Sequence, residues 1–297
     1  MPGSHAFACA PARILRSAPW ACCLLSAFLG WAAPAEPAGD APAKGDAPPP
    51  ELAAPATNVL AAVAARLAPV TNASCTVRRS FRMADDDEGK TLSRISWARG
   101  GFLNVQALRP ERRRTVVDGR EAWSGPDEPG ARAAAVRPLA AQTPLQAANL
   151  FSVPGSPEER LAALDPASAE EIVPAAAPFA RQIAFRPLAS VAALSRSRGG
   201  AARPEPPSTI VSFDAAGRVA ALEVFADASR MRLLLEVAYE APFEALPGVW
   251  LFRRECVRTA VGGKSVETVT AFDRFRVNAP PPPGAFDPHS FFPGGAP

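Results

Sequence analysis

Two histidines are all that the chain offers for acid–base or metal chemistry near neutral pH, and they stand at its extremes, His5 and His289. A Ser–His–acid triad would have to use His289, and no nucleophile elbow accompanies it. There is no His-x-x-x-His pair, no Cys-x-x-Cys and no cluster with zinc spacing. No Gly-x-x-x-x-Gly-Lys-Ser loop is present to cradle a phosphate. Asp85-Asp86-Asp87-Glu88 is a dense acidic run, but calcium needs ligands spread around a longer loop, so it reads as a solvated hairpin tip. The other acids fall mostly at turns and helix starts, where capping accounts for them. The chemistry of the side chains therefore points away from an enzyme, and no cofactor or metal is expected.

Charge excludes a second class. Residues 1–35 hold Arg13 and Arg16 and no acid; without them 30 basic residues face 29 acidic ones. Nucleic acid as a main partner needs a concentrated basic surface. The nearest approach to one, Arg109–Arg114, reads as a solvated strand start.

The first 35 residues carry the marks of a secretory signal: the basic Arg13 and Arg16, then apolar Ala18–Ala33, then the small residues Ala33-Pro34-Ala35. The apolar stretch is shorter than the ~20 residues that span a bilayer. Cys22 and Cys23 follow Pro19-Trp20-Ala21, and Trp20 breaks the pattern of a lipid-acylation site. The expected product is soluble outside the cytoplasm. Of the five cysteines, Cys75 and Cys256 would remain after cleavage. In an oxidising compartment they can pair, or they can be two separate buried thiols.

Residues 36–57 are rich in Ala, Pro, Gly and Asp and read as a flexible linker. Asn58 can cap a helix with Leu60, Val63, Ala64 and Leu67 on one face. From Ser74 the period becomes two. Cys75–Met83, Thr91–Ala98, Leu103–Arg109, Arg113–Val117 and Glu121–Ser124 form a meander with turns such as Asp118-Gly119. The middle reads as helical: Thr143–Phe151, then Ser156-Pro157-Glu158-Glu159 opening a helix to Leu164, then Asp165-Pro166 opening another to Ile172. After the strand candidate Arg181–Arg186 comes a Gly/Arg/Pro loop, Arg196–Pro207. Strands return at Thr209–Phe213, Val219–Phe225, Met231–Tyr239, Val249–Val261 and Ser265–Val277. About ten strands, a few helices and no βαβ alternation predict an α+β fold, mainly antiparallel, with helices gathered on one face of the sheet. Alternation places Leu103, Val105, Leu233, Leu235 and Val237 in one apolar row, and Arg109 on the face of Leu103 and Val105.

The order of these segments resembles the LolA/LolB-like periplasmic carriers of outer-membrane lipoproteins. The resemblance rests on Leu60–Met83, then Gly101 to Arg109-Pro110, then Val116-Val117-Asp118-Gly119 and Trp123, then helices and the strand pair Ile210–Phe225. It closes on Phe275-Arg276-Val277-Asn278-Ala279-Pro280 with Phe286 following. It covers residues 58–287 and leaves 288–297 as a disordered tail. It implies an incomplete, half-open β-barrel whose concave face is covered by helices and binds acyl chains of a lipoprotein or another lipid. Val117 and Trp123 join the apolar row as implied ligand contacts, and Arg109 is implied to hold the helical lid by hydrogen bonds. The implied partners are an inner-membrane donor complex and an outer-membrane acceptor, with the carrier a periplasmic monomer. The family also contains sensor modules, which bind lipid and a partner protein without transport.

Overall fold

The computed structural model describes residues 49–83, 88–139, 152–189, 207–261 and 264–295. The expected signal, the acidic tip at 85–87, the helix over Thr143–Phe151 and most of the 196–207 loop lie outside them. The strands are β1 (Asn72–Met83), β2 (Glu88–Ala98), β3 (Phe102–Arg109), β4 (Arg113–Asp118), β5 (Glu121–Pro126) and β6 (Ala135–Pro138). They continue as β7 (Leu164–Ile172), β8 (Arg181–Pro187), β9 (Ser208–Phe213), β10 (Val219–Phe225), β11 (Leu233–Leu246), β12 (Val249–Val261) and β13 (Lys264–Val277). Among the described residues the helices are α1 (Pro50–Ala53), α2 (Val59–Leu67) and α3 (Glu158–Leu161), with 3-10 turns at Ala56–Asn58 and Pro288–Ser290.

All of the strands join one 13-stranded sheet in the order β6-β5-β4-β3-β2-β1-β13-β12-β11-β10-β9-β8-β7. Two antiparallel meanders thus meet at the centre, where the first strand pairs with the last along Ala73–Met83 and Val266–Val277. The ends of the sheet, β6 and β7, are not joined to each other. The sheet nevertheless curls, because one apolar core draws Trp97 from β2, Ile183 and Phe185 from β8, Phe213 from β9, Leu222 from β10 and Val237 from β11. α2 lies inside that curve through Val59, Val63 and Leu67; Leu60, expected on the buried face, only borders it.

Thirteen strands stand where about ten were expected: the eleven segments named above are joined by β6 and β7, which were not read as strands. Residues 165–172 belong to β7 rather than to a helix. Asp165 does open a local turn, accepting from the Ala167 N–H at 3.0 Å, while Ser168 Oγ donates to the Asp165 carbonyl at 2.7 Å. The chain then runs extended along the sheet edge, the one place where a strand tolerates a proline such as Pro166. The helix begun at Ser156 lasts a single turn, Glu158–Leu161. Among the described residues no helix is long and apolar enough to cross a membrane.

Both ends of the expected domain extend further than the linker and tail readings allowed. Glu51 is fully buried and ion-paired with Arg66, and Arg181 donates to the carbonyls of Glu51 (2.6 Å) and Ala54 (2.7 Å). Burial raises the Glu51 pKa, its neighbour Arg66 opposing. At the other end Phe292 is fully buried against Val116, Trp123 and Ala133. The segment after β13 crosses the outer face of β3–β5. There the Ala285 carbonyl accepts from Asn104 Nδ2 at 2.7 Å, and Arg114 lies 4.2 Å over the Phe291 ring.

Candidate functional site

Residues directly opposite in an antiparallel ladder share a face, so the registers trace rows across the concave side. One row is polar: Tyr239, Glu255, Thr270, Arg79 and Thr91 stand opposite one another from β11 to β2. α3 brings Arg160 to this row, where Nη2 donates to Glu255 Oε1 at 2.5 Å, and Arg79 Nε donates to Thr270 Oγ1 at 3.3 Å. Burial alone would weaken the Arg160 charge, but the Glu255 carboxylate outweighs it and holds the guanidinium more firmly protonated. Burial, with Glu255 adding to it, pushes the Tyr239 hydroxyl up, so it stays neutral. Burial also raises the Glu159 carboxyl against the pull of Arg160.

On one side of the polar row the face is packed. Val77, then Cys75, Ile95 and Val105, then Ala73, Trp97, Leu103 and Val117 follow in successive rows. Trp97 is 1% exposed. Arg99, just beyond β2, fastens α2 here: it donates to the carbonyls of Val70 (2.7 Å) and Leu67 (2.6 Å), and Nη1 lies 3.8 Å from Glu158. Helix-end carbonyls have no partner within their own helix, and Arg99 supplies one.

On the other side lie rows running Ile183, Val211, Leu222, Val237, Val257, Thr268, Phe81 and Phe185, Thr209, Val224, Leu235, Thr259, Val266. Exposure rises along the first row from 0% at Ile183 to 39% at Phe81. Val224, Leu235, Val257 and Val266 remain half-buried. The ring of Phe81 lies over Gly89, where a Cβ would meet Phe81 Cζ at 1.6 Å. This part of the concave face, at the hairpin ends of the strands, is apolar and incompletely covered. We call it the mouth.

The expected site residues divide. Leu103, Val105, Val117, Leu235 and Val237 share the concave face. Only Leu235 lies in the mouth itself. Leu233 stands beyond a slip in the β10–β11 ladder, opposite Phe225, and takes no part in the core. Trp123 is on the outer face, opposite Val116, covered by Phe292 and with the His289 ring 5.4 Å away. Arg109 is a further correction. The β2–β3 ladder slips at Leu108, so that Ala107 faces Ser93 but Arg109 faces Leu92. Leu92 in turn faces Arg78, on the outer side, and Arg109 is exposed there rather than turned toward a helix. The residue that clasps helix-end carbonyls is Arg99, which follows the strand reading's last alternating position and gave no periodic signal.

Cys75 and Cys256 are free and buried. Cys256 faces Val269, which faces Ser80. That is about 16 Å along the strand from Cys75 and on the opposite face, beyond the ~7 Å that a disulfide spans between Cα atoms. Burial pushes the Cys75 thiol up to about 12 and the Cys256 thiol up to about 11. Among the described residues no group of three or more His, Cys, Asp or Glu could hold a metal ion. A separate cleft of about 320 Å³, open to solvent, lies at the other end between Glu51, Arg66, Arg218 and Trp250.

A DUF1329 family protein from Desulfovibrio piger superposes with a TM-score of 0.50, over 80% of this chain and 97% of that one, at 10% identity. The two share a fold. Two other solved structures align with this chain. One is a LolA superfamily protein from Nitrosomonas europaea, with TM-score 0.44, 12% identity and coverage of 74% of this chain and 92% of that one. The other, from Vibrio parahaemolyticus, is described as an outer membrane lipoprotein-sorting protein domain, with TM-score 0.48, 12% identity and coverage of 80% and 99%. LolA-like proteins are thus among the structural neighbours of this chain. No protein-family model and no curated protein matches the sequence.

Proposed function

We propose that this protein is a periplasmic carrier, which takes acyl chains of lipoproteins or another lipid into the mouth and passes them on toward the outer membrane. The observation that carries the reading is the half-buried apolar patch of Phe81, Val224, Leu235, Val257 and Val266 on the concave side of an unclosed sheet. Acyl chains gain about 0.8 kcal/mol per CH₂ removed from water, and a surface that is already partly exposed can cover them without unfolding. The polar row limits how far they travel: a chain end pushed past Val237 and Val257 meets Glu255, Arg160 and Tyr239. The order of segments, with the expected export signal in front, supports the same reading. By the resemblance, the carrier works as a monomer between an inner-membrane donor complex and an outer-membrane acceptor.

The test is lipid extraction and native mass spectrometry of the exported protein, followed by loading with a fluorescent fatty-acyl probe. Leu235→Arg should keep the fold and lower probe uptake at least tenfold, because it places a charge where chains lie. Unchanged uptake by a folded Leu235→Arg protein would remove the mouth from the mechanism.

A further inference from the structure

The cleft at the end away from the mouth is built around two arginines that are already held in place. Arg66, on α2, is ion-paired with Glu51, which is fully buried on α1. Arg218, in the turn between β9 and β10, donates through Nε to Asp214 Oδ2 at 2.6 Å and lies 4.8 Å over the Trp250 ring. Asp214 is fixed in turn, its Oδ1 accepting from the N–H groups of Ala216 and Arg218 at 2.9 Å. Gly217 brings the two arginines to one place. It adopts φ +70°, and a Cβ there would stand 2.6 Å from Pro49 Cβ and 3.1 Å from Glu51 Oε2, the oxygen that Arg66 holds. The turn thus closes directly on the Arg66–Glu51 pair. A guanidinium carries more donors than one carboxylate uses. Among the described residues, neither terminal nitrogen of Arg218 has a hydrogen-bond partner, and Arg66 is bonded through Nη2 alone. The rest of the lining is mainly apolar: Val63, Pro157, Val219 and Phe252, with Trp250 as one wall.

We propose that this cleft binds a small carboxylate with an apolar body. The carboxylate accepts from the remaining N–H groups of Arg218 and Arg66, and the body lies against Val219 and Pro157 beside Trp250. Planar guanidinium donors match a carboxylate in shape as well as in charge. The ion pairs with Asp214 and Glu51 do not compete with this role; they hold both guanidiniums in position before a ligand arrives, which lowers the ordering cost of binding. They also set the charge of the ligand. Arg66 and Arg218 are balanced by Glu51 and Asp214, so the cleft offers directed donors rather than an excess of positive charge. A monoanion can be held by such donors, whereas a phosphate dianion brings a second charge with no unpaired cation to meet it. The apolar lining selects in the same direction, against a fully hydrated ion. The site stands apart from the mouth, so the proposal goes beyond the carrier reading and can be measured with no cargo present.

The experiment is titration of the signal-processed protein with benzoate, followed by calorimetry and by tryptophan fluorescence. Benzoate should saturate the site with a Kd of about 1 mM or tighter. Benzamide, which has the same shape and no charge, and inorganic phosphate should each bind about tenfold more weakly or worse. Arg218→Gln should lose about tenfold in benzoate affinity while uptake of the acyl probe stays unchanged. Should that variant fail to fold, Trp250→Leu on the neighbouring wall carries the same test: it should weaken benzoate binding and remove most of the fluorescence change. Absence of saturable benzoate binding overturns the proposal, as does undiminished binding by a folded Arg218→Gln protein. Equal binding of benzamide would show an apolar crevice only, and equal binding of phosphate a site that ignores the apolar body; either overturns it too. Displacement of the acyl probe by benzoate would place the ligand in the mouth and likewise end the proposal. Loss of probe uptake by Leu235→Arg with benzoate binding intact separates failure of the mouth from failure of the cleft.

Discussion

On one side of the polar row the concave face is packed to within a few per cent of full burial at Ala73, Cys75, Val77 and Trp97; on the other, the same β1 strand leaves Phe81 39% exposed. The difference is not one of composition, because both sides carry Val, Leu and Phe. It lies in what covers them. α2 and the segment around α3 fill the first side, and α3 stops at the polar row through the Arg160–Glu255 pair. A sheet with a single curved face can thus hold its own core and still keep apolar surface in reserve, provided that a polar boundary stops one from spreading into the other.

The comparison breaks most visibly on the packed side. Trp97→Ala should cost about 3–5 kcal/mol, as truncation of a buried aromatic does, measured by urea unfolding. A loss below about 1 kcal/mol would mean that this side is as loosely filled as the mouth. Next comes the boundary. Arg160→Ala leaves Glu255 without its cation in a site where the two side chains are 25% and 18% exposed. Full burial would make this cost 3–5 kcal/mol; partial exposure reduces the expectation to about 1–3 kcal/mol. Combining Arg160→Met with Glu255→Leu should recover much of the loss, and it should let the acyl probe sit deeper, seen as a blue shift of its emission. No recovery in the double variant would show that the pair does more than mark a boundary.

The mouth should respond in the opposite sense. Leu235→Ala is expected to cost only about 1 kcal/mol, because a half-buried side chain has less transfer free energy to lose, while probe uptake falls. A larger loss of stability than of uptake would make the mouth an ordinary core. The smallest effect concerns Glu159. Burial raises its pKa in the folded protein, so the folded state binds the proton more tightly than the unfolded one. The associated stability is full below the ordinary carboxylate range and is lost as pH rises through the raised pKa. Glu159→Gln should therefore be more stable than wild type at neutral pH, with the gain vanishing in acid. A gain that persists unchanged at low pH would point to another cause.

Much of this architecture could be read from alternation. Val105 with Leu103, and Val237 with Leu235, were placed on the right face because strand period fixes side. The failures occur where local chemistry competes with period. Asp165-Pro166 carries the marks of a helix start, yet the same residues suit a turn into an edge strand. Arg109 and Leu233 follow single extra residues, Leu108 and Leu234, and one inserted residue is enough to change which face a side chain takes. Nothing in either stretch of sequence marks the slip. Phe81, Val257 and Val266 were not placed together on the concave face for another reason: each strand shows its own period, but which strands lie side by side is set by register between β13, the last, and β1, the first. Trp123 illustrates the cost of counting from one end of the chain alone, since what covers it is Phe292.

The seam between β1 and β13 also governs when this protein can fold. A chain made from its N-terminus presents β1 long before β13, its partner along Ala73–Met83, exists. The contact of Phe292 with Val116 and Trp123 waits longer still. Contacts that distant in sequence slow folding through the entropy of closing so large a loop. The β1–β6 half must therefore wait, with the central edge of β1 unpaired, until β13 and the segment that follows it have been made.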